Sequence, residues 1–168
     1  MTTLILDMDS TLIYSGTGHT TADPGIRYEM RPHLREFLEG VNRLFDSVII
    51  WSAGTEHYVT TIIDDVYKRL DIPRPKAVFT RRYCRYVSGD VVKPLIDLQQ
   101  FYNFDMAKTL IVDDTPSTFV LNITNGVLIS EYRGGAYDAG ALLGLLSWFE
   151  QLIRADVSDF RMILKPEN

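Results

Sequence analysis

The stretch of sequence that decides the fold is LILDMDST, residues 4–11. Its apolar first half predicts a short buried strand, and the carboxylates Asp7 and Asp9 follow with no spacer. Open α/β sheets form their binding sites where strands end, so this junction is a candidate site. Side chains two residues apart in an extended segment point to the same side, which would bring both carboxylates together.

Two further apolar runs also end in polar side chains. Residues 47–51 read SVIIW and are followed by Ser52, whereas residues 109–112 read TLIV and are followed by the pair Asp113-Asp114. Lys93 lies between these runs, just before a candidate helix. Carboxylates suit a hard cation such as magnesium, and a hydroxyl and an ammonium suit phosphate oxygens. The set therefore has the parts of a magnesium-dependent phosphoryl-transfer site.

Each of these residues also has a purely structural interpretation. Asp7 and Asp9 could be solvated turn acids, and Asp113-Asp114 could form the turn before a helix. Ser52 could simply end a strand, and Lys93 could be a solvated surface charge. Taken alone, each structural interpretation would be favoured, but the occurrence of all these residues in this order favours the functional one.

This order of motifs resembles the haloacid dehalogenase superfamily, which has D-x-D-x-[TV], a Ser or Thr after the second strand, a Lys and a terminal acid pair. The flanking residues are similar to the small C-terminal-domain phosphatases and their transcription-factor-IIF-associating relatives, the NLI-interacting-factor-like family. The similar segments are RPHLREFL at 31–38, RRYC at 81–84, VK at 92–93 and IVDDTP at 111–116. The resemblance covers roughly residues 4–152.

The resemblance implies catalytic roles for the first motif. Asp7 would be the nucleophile and a magnesium ligand. Asp9 would bind the metal through its backbone carbonyl, protonate the leaving oxygen and then activate water. Thr11 is placed in the substrate-binding set, where we expect it to tie down the loop rather than to react.

The remaining motifs would hold the phosphate and the metal. Ser52 and Lys93 are expected to bind phosphoryl oxygens, and Lys93 should pair with Asp7 or with an acid of the terminal pair when substrate is absent. Asp113 and Asp114 are predicted metal ligands. Arg81 aligns with an arginine near the substrate of the small phosphatases. Alternatively, it belongs to a basic face with the other cations of this segment, which are Arg74, Lys76, Arg82 and Arg85.

Alternating strands and helices predict an α/β fold, a Rossmann-like three-layer sandwich with a central, mostly parallel sheet. Residues 14–28 read as a loop or short hairpin, and the Ser88-Gly89-Asp90 turn predicts a small β-hairpin insertion. We expect no large cap domain. Helices are predicted from Pro32, near Glu56, from Pro94, from Pro116 and over 141–153, with another short one possible after Ala155.

Composition sets the broad class of protein. The 168 residues are 46% hydrophobic and 23% charged, which is ordinary for a globular chain and predicts one domain. The resemblance implies that residues 1–168 form a single haloacid-dehalogenase-like phosphatase domain. A formal charge of −5 argues against general nucleic-acid binding. Cys84 is the single cysteine, which suits a reducing compartment. Without a signal peptide or membrane-length apolar stretch, we expect a cytoplasmic or nuclear monomer with no membrane partner.

Other catalytic classes do not fit. A thiol phosphatase needs an arginine six residues after its cysteine, but Asp90 stands there. No Gly-Lys pair is present for a P-loop, and Ser52 lacks the glycine two residues earlier that a hydrolase nucleophile elbow has. The resemblance to the small C-terminal-domain phosphatases implies the leading hypothesis, a phosphatase for phosphoserine or phosphothreonine in proteins, such as the heptad-repeat tail of RNA polymerase II. The alternatives are a phosphatase for small molecules or nucleic-acid ends and a catalytically silent binding module.

Overall fold

The computed structural model describes residues 1–166, which form nine β-strands and four α-helices. The strands are β1 Thr3–Leu6, β2 Ile13–Thr20, β3 Arg27–Met30, β4 Ser47–Trp51, β5 Ala77–Phe79, β6 Arg85–Val87, β7 Asp90–Val92, β8 Thr109–Asp113 and β9 Gly126–Leu128. The α-helices are α1 Leu34–Leu44, α2 Glu56–Leu70, α3 Leu95–Leu98 and α4 Ala141–Arg154. Short 3₁₀ helices occupy Arg81–Tyr83, Met106–Lys108, Pro116–Asn125 and Phe160–Met162.

Five strands form a central sheet in the order β5-β4-β1-β8-β9, and every neighbouring pair is parallel. Strand β1 lies in the middle, where Leu4 is opposite Val48 of β4 and Leu110 of β8. Strands covered on both faces are continuous apolar runs, which explains why β1, β4 and β8 were evident in the sequence. The predicted α/β architecture with a parallel sheet is confirmed.

Helices cover both faces of the sheet and give three layers. Successive side chains of a strand point to opposite faces. Leu4 and Leu6 accordingly pack in one core with α1, α2 and α4, whereas Ile5 packs in a second core with α3. The second core is rich in aromatic rings, namely Trp51, Phe79, Phe104 and Phe119.

Two antiparallel hairpins lie outside the main sheet. Strands β2 and β3 pair within the segment that was predicted to be a loop or short hairpin. Strands β6 and β7 pair across Ser88 and Gly89, which both have positive φ, 51° and 84°. Such a two-residue turn matches the twist of the flanking strands and favours glycine. Within residues 1–166 no large cap domain is present.

The element boundaries differ from the predictions in small ways. Helix α1 begins at Leu34 rather than in the turn at Pro32, because His33 has a left-handed conformation with φ of 68°. The segment after Pro116 is a 3₁₀ helix interrupted by non-helical residues. The predicted short helix after Ala155 is one 3₁₀ turn, and the last two residues of that segment lie outside the described part. No helix within residues 1–166 is both long and apolar enough to cross a membrane.

Gly126 in β9 packs so tightly against the Phe119 ring that no side chain fits at this position. A Cβ atom there would lie 2.3 Å from Cδ2 of the buried Phe119 ring, which cannot move aside freely. We expect Gly126→Ala to lower the free energy of unfolding by about 1–3 kcal/mol through overpacking, measured by urea denaturation. Gly25→Ala is the matched control, because its Cβ would meet an atom of Asp23 only at 3.5 Å. Equal stability of the two variants would contradict the tight packing of β9 on Phe119.

Candidate active site

The ends of three adjacent strands bring the sequence motifs together. Asp7 follows β1, Ser52 follows β4, and Asp113 is the last residue of β8. The backbone N–H of Asp7 donates to the carbonyl of Val112 at 3.0 Å, so the ladder continues to the site. Because parallel strands end at the same edge of the sheet, residues 45 and 106 positions apart become neighbours.

The floor of the site is an ion-paired lysine. The Nζ atom of Lys93 donates to Oδ1 of Asp7 at 2.9 Å and to Oδ2 of Asp113 at 2.7 Å. Its side chain is only 2% exposed. Strand β7 delivers Lys93 to this place, and the backbone N–H of Lys93 donates to the carbonyl of Thr118 at 2.6 Å. An ammonium has three N–H donors, so one remains for an incoming ligand.

Burial and charge shift the pKa values of this trio in consistent directions. Burial raises the pKa of Asp7 to about 6, although the Lys93 charge opposes the rise. Burial and the Asp7 charge raise the pKa of Asp113 to about 6. Burial alone would lower the pKa of Lys93, but the two carboxylates outweigh it and the pKa is raised. Lys93 therefore stays charged, and its charge is what holds two carboxylates so close together.

The loop after β1 is fixed by contacts within itself. The N–H of Leu12 donates to the carbonyl of Met8 at 2.9 Å, and Ser10 has a positive φ of 63°. The hydroxyl of Thr11 donates to Oδ2 of Asp7 at 2.9 Å. Thr11 is fully buried and is not among the residues that line the cleft. Its position is that of a residue that orients the Asp7 carboxylate from behind.

Arg31 anchors the same loop, and the sequence reasoning assigned it no role. The buried guanidinium donates to the carbonyl of Thr11 at 3.1 Å, to Oγ of Ser130 at 3.1 Å and to Oδ2 of Asp138 at 2.6 Å. The only signal was its place in the flanking similarity at 31–38. Its partners lie far away in sequence, so no local pattern could identify them.

Tyr58 is a second contact that the sequence reasoning missed. It lies on α2, and its hydroxyl donates to Oδ1 of Asp9 at 2.6 Å. Burial raises the pKa of Asp9, although this hydrogen bond opposes the rise. Burial and the hydrogen bond to Asp9 raise the pKa of Tyr58. The Asp9 carboxyl is therefore oriented by α2 as well as by its own loop.

Three carboxylates form a possible cation site. Asp7, Asp113 and Asp114 each offer an oxygen, and these oxygens lie within 4.8 Å of one another. Asp113 is held by the N–H of Thr115, which donates to its Oδ1 at 3.0 Å. Hard oxygen ligands of this kind fit magnesium. The carboxyl of Asp9 is not part of this cluster, which is compatible with a metal contact through its backbone carbonyl alone.

The site opens into a cleft of about 790 Å³. Oγ of Ser52 accepts from the N–H of Gly54 at 3.0 Å, which leaves the O–H proton of Ser52 available to a ligand. Arg81 also lines the cleft, and its Nε donates to the carbonyl of Ala53 at 2.9 Å. Residues from both hairpins form the walls, including Tyr14 and Asp90. The structure thus brings together seven of the eight predicted site residues at the cleft, with Thr11 directly behind Asp7.

Comparison with known proteins gives a consistent family. A family model described as NLI interacting factor-like phosphatase matches residues 2–161. Nuclear envelope morphology protein 1 of Schizosaccharomyces pombe is 30% identical over 168 residues, covering 89% of this chain and 33% of that protein. CTD small phosphatase-like protein 3 of Caenorhabditis elegans is 30% identical over 162 residues, covering 89% and 54%. Mitochondrial import inner membrane translocase subunit TIM50 of Phytophthora infestans is 28% identical over 164 residues, covering 96% and 36%. The chain thus spans about a third to a half of the length of these relatives.

Solved structures share the fold at low identity. A fission yeast RNA polymerase II CTD phosphatase bound to beryllium fluoride superposes with a TM-score of 0.54 at 18% identity, covering 94% of this chain and 52% of that one. A putative had-like phosphatase from Mesorhizobium loti gives a TM-score of 0.57 at 18% identity, covering 90% and 87%. These structures establish a haloacid-dehalogenase-like fold.

The buried ammonium of Lys93 compensates the charges of Asp7 and Asp113, so the stability of the protein should depend on this lysine. We expect Lys93→Met to lower the free energy of unfolding at pH 7 by roughly 3–5 kcal/mol, because Asp7 and Asp113 would face each other without compensation. Urea denaturation in the presence of a chelator measures this. Lys68→Met removes the same charge from an exposed position on α2 and should cost less than about 1 kcal/mol. A Lys93→Met protein as stable as the Lys68→Met control would show that the two acids do not need the cation.

Proposed function

The chain belongs to the NLI interacting factor-like phosphatase family, and we propose that it is a magnesium-dependent phosphatase that forms an aspartyl-phosphate intermediate on Asp7. The observation that carries this proposal is the placement of Lys93 between Asp7 and Asp113 at the floor of an open cleft. Family and fold together support a phosphoester hydrolase, and this arrangement supplies a nucleophile beside a fixed positive charge.

The fixed charge answers the main physical difficulty of the reaction. A phosphate monoester is a dianion, and a carboxylate that approaches it to about 4 Å meets a repulsion of roughly 4 kcal/mol per charge pair at an effective dielectric of 20. Lys93 offsets this repulsion and has one N–H donor left for a phosphoryl oxygen. The O–H of Ser52 would hold a second oxygen. Both groups are in place before the substrate arrives, which favours the transition state over the ground state.

Magnesium would be held by Asp7, Asp113 and Asp114, together with the backbone carbonyl of Asp9. When bound there, the cation would neutralise charge on the phosphoryl oxygens and orient the group for attack. Asp113 and Asp114 are adjacent in the chain, and either could bind directly or through water. Burial raises the pKa values of both Asp113 and Asp114, and a cation bound beside them would stabilise their charged forms.

In the first step, a carboxylate oxygen of Asp7 attacks phosphorus and the bond to the leaving oxygen breaks. The leaving oxygen takes its proton from Asp9, whose carboxyl faces the same cleft. Thr11 holds the other oxygen of Asp7 and so fixes which lone pair points to the substrate. The products of this step are the free alcohol and the aspartyl phosphate.

In the second step, Asp9 is a carboxylate and accepts a proton from water. The hydroxide attacks phosphorus, the bond to Asp7 breaks, and inorganic phosphate leaves. Asp9 is then protonated and Asp7 ionised, as at the start. The hydrogen bond from Tyr58 would keep the Asp9 carboxyl in position through both steps.

The substrate class that we propose is phosphoserine or phosphothreonine in a protein, such as a heptad-repeat polymerase tail. The cleft is open, and within residues 1–166 no large cap covers it, so an extended peptide can enter. Several relatives are named CTD small phosphatases. We propose that Arg81, which lines the cleft, contacts this substrate. We further propose that the chain acts as one monomeric domain without a membrane or general nucleic-acid partner.

Two other functions have specific support. An open cleft also admits small phosphate esters or the end of a nucleic acid, although the net charge of −5 disfavours the latter. The similarity to TIM50, named as a translocase subunit, favours a catalytically silent binding module. The retention of Asp7, Asp9, Lys93 and Asp113 in a bonded arrangement counts against silence. The cytoplasmic or nuclear location stays a prediction, because the relatives' names include both nuclear and mitochondrial proteins.

The test of the proposed function is phosphate release from serine-phosphorylated heptad peptides and from para-nitrophenyl phosphate, with magnesium and with a chelator. We expect turnover of both that requires magnesium. Asp7→Asn should lower kcat by roughly 10⁴-fold or more, because the nucleophile is lost. Asp64→Asn, the same change on the exposed face of α2, is the control and should keep full activity.

Each outcome has a distinct meaning. Turnover of para-nitrophenyl phosphate alone would retain the mechanism and reject the protein substrate. Turnover that survives in folded Asp7→Asn would reject the mechanism. Absence of turnover on every ester would favour the binding module.

The contact between Tyr58 and Asp9 predicts a dependence on the leaving group. We expect Tyr58→Phe to lower kcat on phosphoserine peptides by about ten-fold, the rate equivalent of one hydrogen bond to a charged group. The effect on para-nitrophenyl phosphate should be smaller, because nitrophenolate leaves without needing a proton. Tyr67→Phe is the control, since Tyr67 lies on the same helix and its buried hydroxyl has no hydrogen-bond partner among residues 1–166. Equal losses on both substrates, or a change in KM alone, would instead indicate a direct contact with substrate.

A further inference from the structure

A second hollow of about 530 Å³ lies beside the cleft. It is lined by residues 82–85, which include Arg82 and Tyr83, and by Asp97, Gln100 and Phe101. The Tyr83 and Phe101 rings pack edge to face with centroids 5.1 Å apart. Phe101 is nevertheless 61% exposed, so an aromatic surface faces solvent there. None of the roles assigned above uses this hollow.

Arg82 is an unneutralised cation at the edge of this hollow. Its guanidinium lies over the Tyr83 ring, 4.8 Å from the centroid, and donates to the Tyr83 hydroxyl at 2.6 Å. Within residues 1–166 no carboxylate lies within 4.0 Å of it, although Glu56 acts on it from farther away. Arg85, in contrast, is already paired with both oxygens of Asp97 at 2.6 Å. Of the two arginines that line the hollow, Arg82 is therefore the one whose guanidinium can bind an anion. The Tyr83 ring holds this guanidinium in place, which reduces the side-chain entropy lost on binding.

The hollow and the cleft share a wall. Arg81 and Arg82 are consecutive residues of the 3₁₀ turn, yet Arg81 lines the cleft and Arg82 lines the hollow. Cys84 lies in the floor of the hollow, and its Sγ is 4.0 Å from the carbonyl oxygen of Ser52. The phosphate-binding end of the cleft is thus separated from the hollow by one turn of chain. An extended peptide advances about 3.3 Å per residue, so a few residues suffice to pass from one to the other.

We propose that the hollow is a second recognition site, in which Arg82 binds an anionic side chain of the same peptide whose phosphoserine occupies the cleft. The anion is a carboxylate or a second phosphate, and its neighbour in the peptide packs on Phe101 and Tyr83. This inference rests on the proposed function, because it specifies which phosphopeptides the site prefers. The net charge of the chain is −5, so the protein as a whole does not attract an acidic peptide. A preference for acidic peptides would therefore arise from the local charge of Arg82.

The expected effect is a preference that depends on position. An exposed charge-assisted contact of this kind should raise kcat/KM by about five-fold, and the gain should shrink at high salt. Because Arg82 lies on one side of the cleft, an acid should help on only one side of the phosphoserine. Glutamate and a phosphonate analogue of phosphoserine, which is not hydrolysed, distinguish carboxylate from phosphate as the preferred anion.

The experiment measures kcat/KM for peptides with one phosphoserine among alanines and a single glutamate or phosphonate, moved over roughly five residues on either side. In Arg82→Gln the advantage of the best acidic peptide over the plain phosphopeptide should fall to about one. Arg82→Lys should retain part of it, since charge remains but the planar fork is lost. Arg43→Gln is the matched control. Arg43 is exposed in the last turn of α1 and lines neither the cleft nor the hollow, so its substitution removes the same charge elsewhere.

Four results would overturn the inference. A plain phosphopeptide hydrolysed as well as every acidic one would show that no second site exists. An acidic preference that persists in Arg82→Gln, or that falls equally in Arg43→Gln, would show that the preference does not arise at Arg82. If no phosphopeptide is hydrolysed while para-nitrophenyl phosphate is, the protein-substrate proposal fails and this inference fails with it.

Discussion

The ion pair between Lys93, Asp7 and Asp113 is the interaction on which the site depends. Two carboxylates within hydrogen-bond distance of one ammonium require that this ammonium stay charged while almost fully buried. Burial of these three charged groups has a desolvation cost that hydrophobic side chains would not have. The arrangement is therefore better explained as a preformed binding site for a charged ligand than as a source of stability. The phosphate and the metal would then replace interactions that the protein already makes with itself.

The sheet gives this pair its geometry. Strands β4, β1 and β8 are neighbours, so Ser52, Asp7 and Asp113 leave the sheet at one edge. Lys93 reaches the same edge from outside, as the residue that directly follows strand β7 of the β6–β7 hairpin. That hairpin therefore has two tasks, because the end of β7 delivers the lysine and its turn forms a wall of the cleft. A change in the hairpin length would alter both catalysis and access.

Much of the fold and the site could be predicted from the sequence because the relevant signals are local. Apolar runs that end in acids identify β1 and β8, and parallel pairing then brings those acids together. The contacts of Arg31 and Tyr58 could not be predicted, since their partners are distant in the chain and leave no periodic pattern. The form of residues 116–125 also escaped prediction. There Asn122 leaves helical geometry, with φ of −146°, and its side chain accepts from the N–H of Leu95, so a tertiary contact replaces the helical ladder.

The position of Arg31 has a consequence for how the protein is made. Its guanidinium joins the loop that carries Asp9 to Ser130 and Asp138, about 100 residues later in the chain. During synthesis, a chain that has not yet reached these residues has the aspartates but lacks the contacts that shape their loop. Bringing Arg31 into contact with residues so distant in the chain reduces the conformational entropy of the chain. Only the interactions of the rest of the fold compensate for this loss. The loop that carries Asp9 should therefore take its final shape only after Asp138 has been synthesised, although Asp7 and Asp9 are among the first residues to be made.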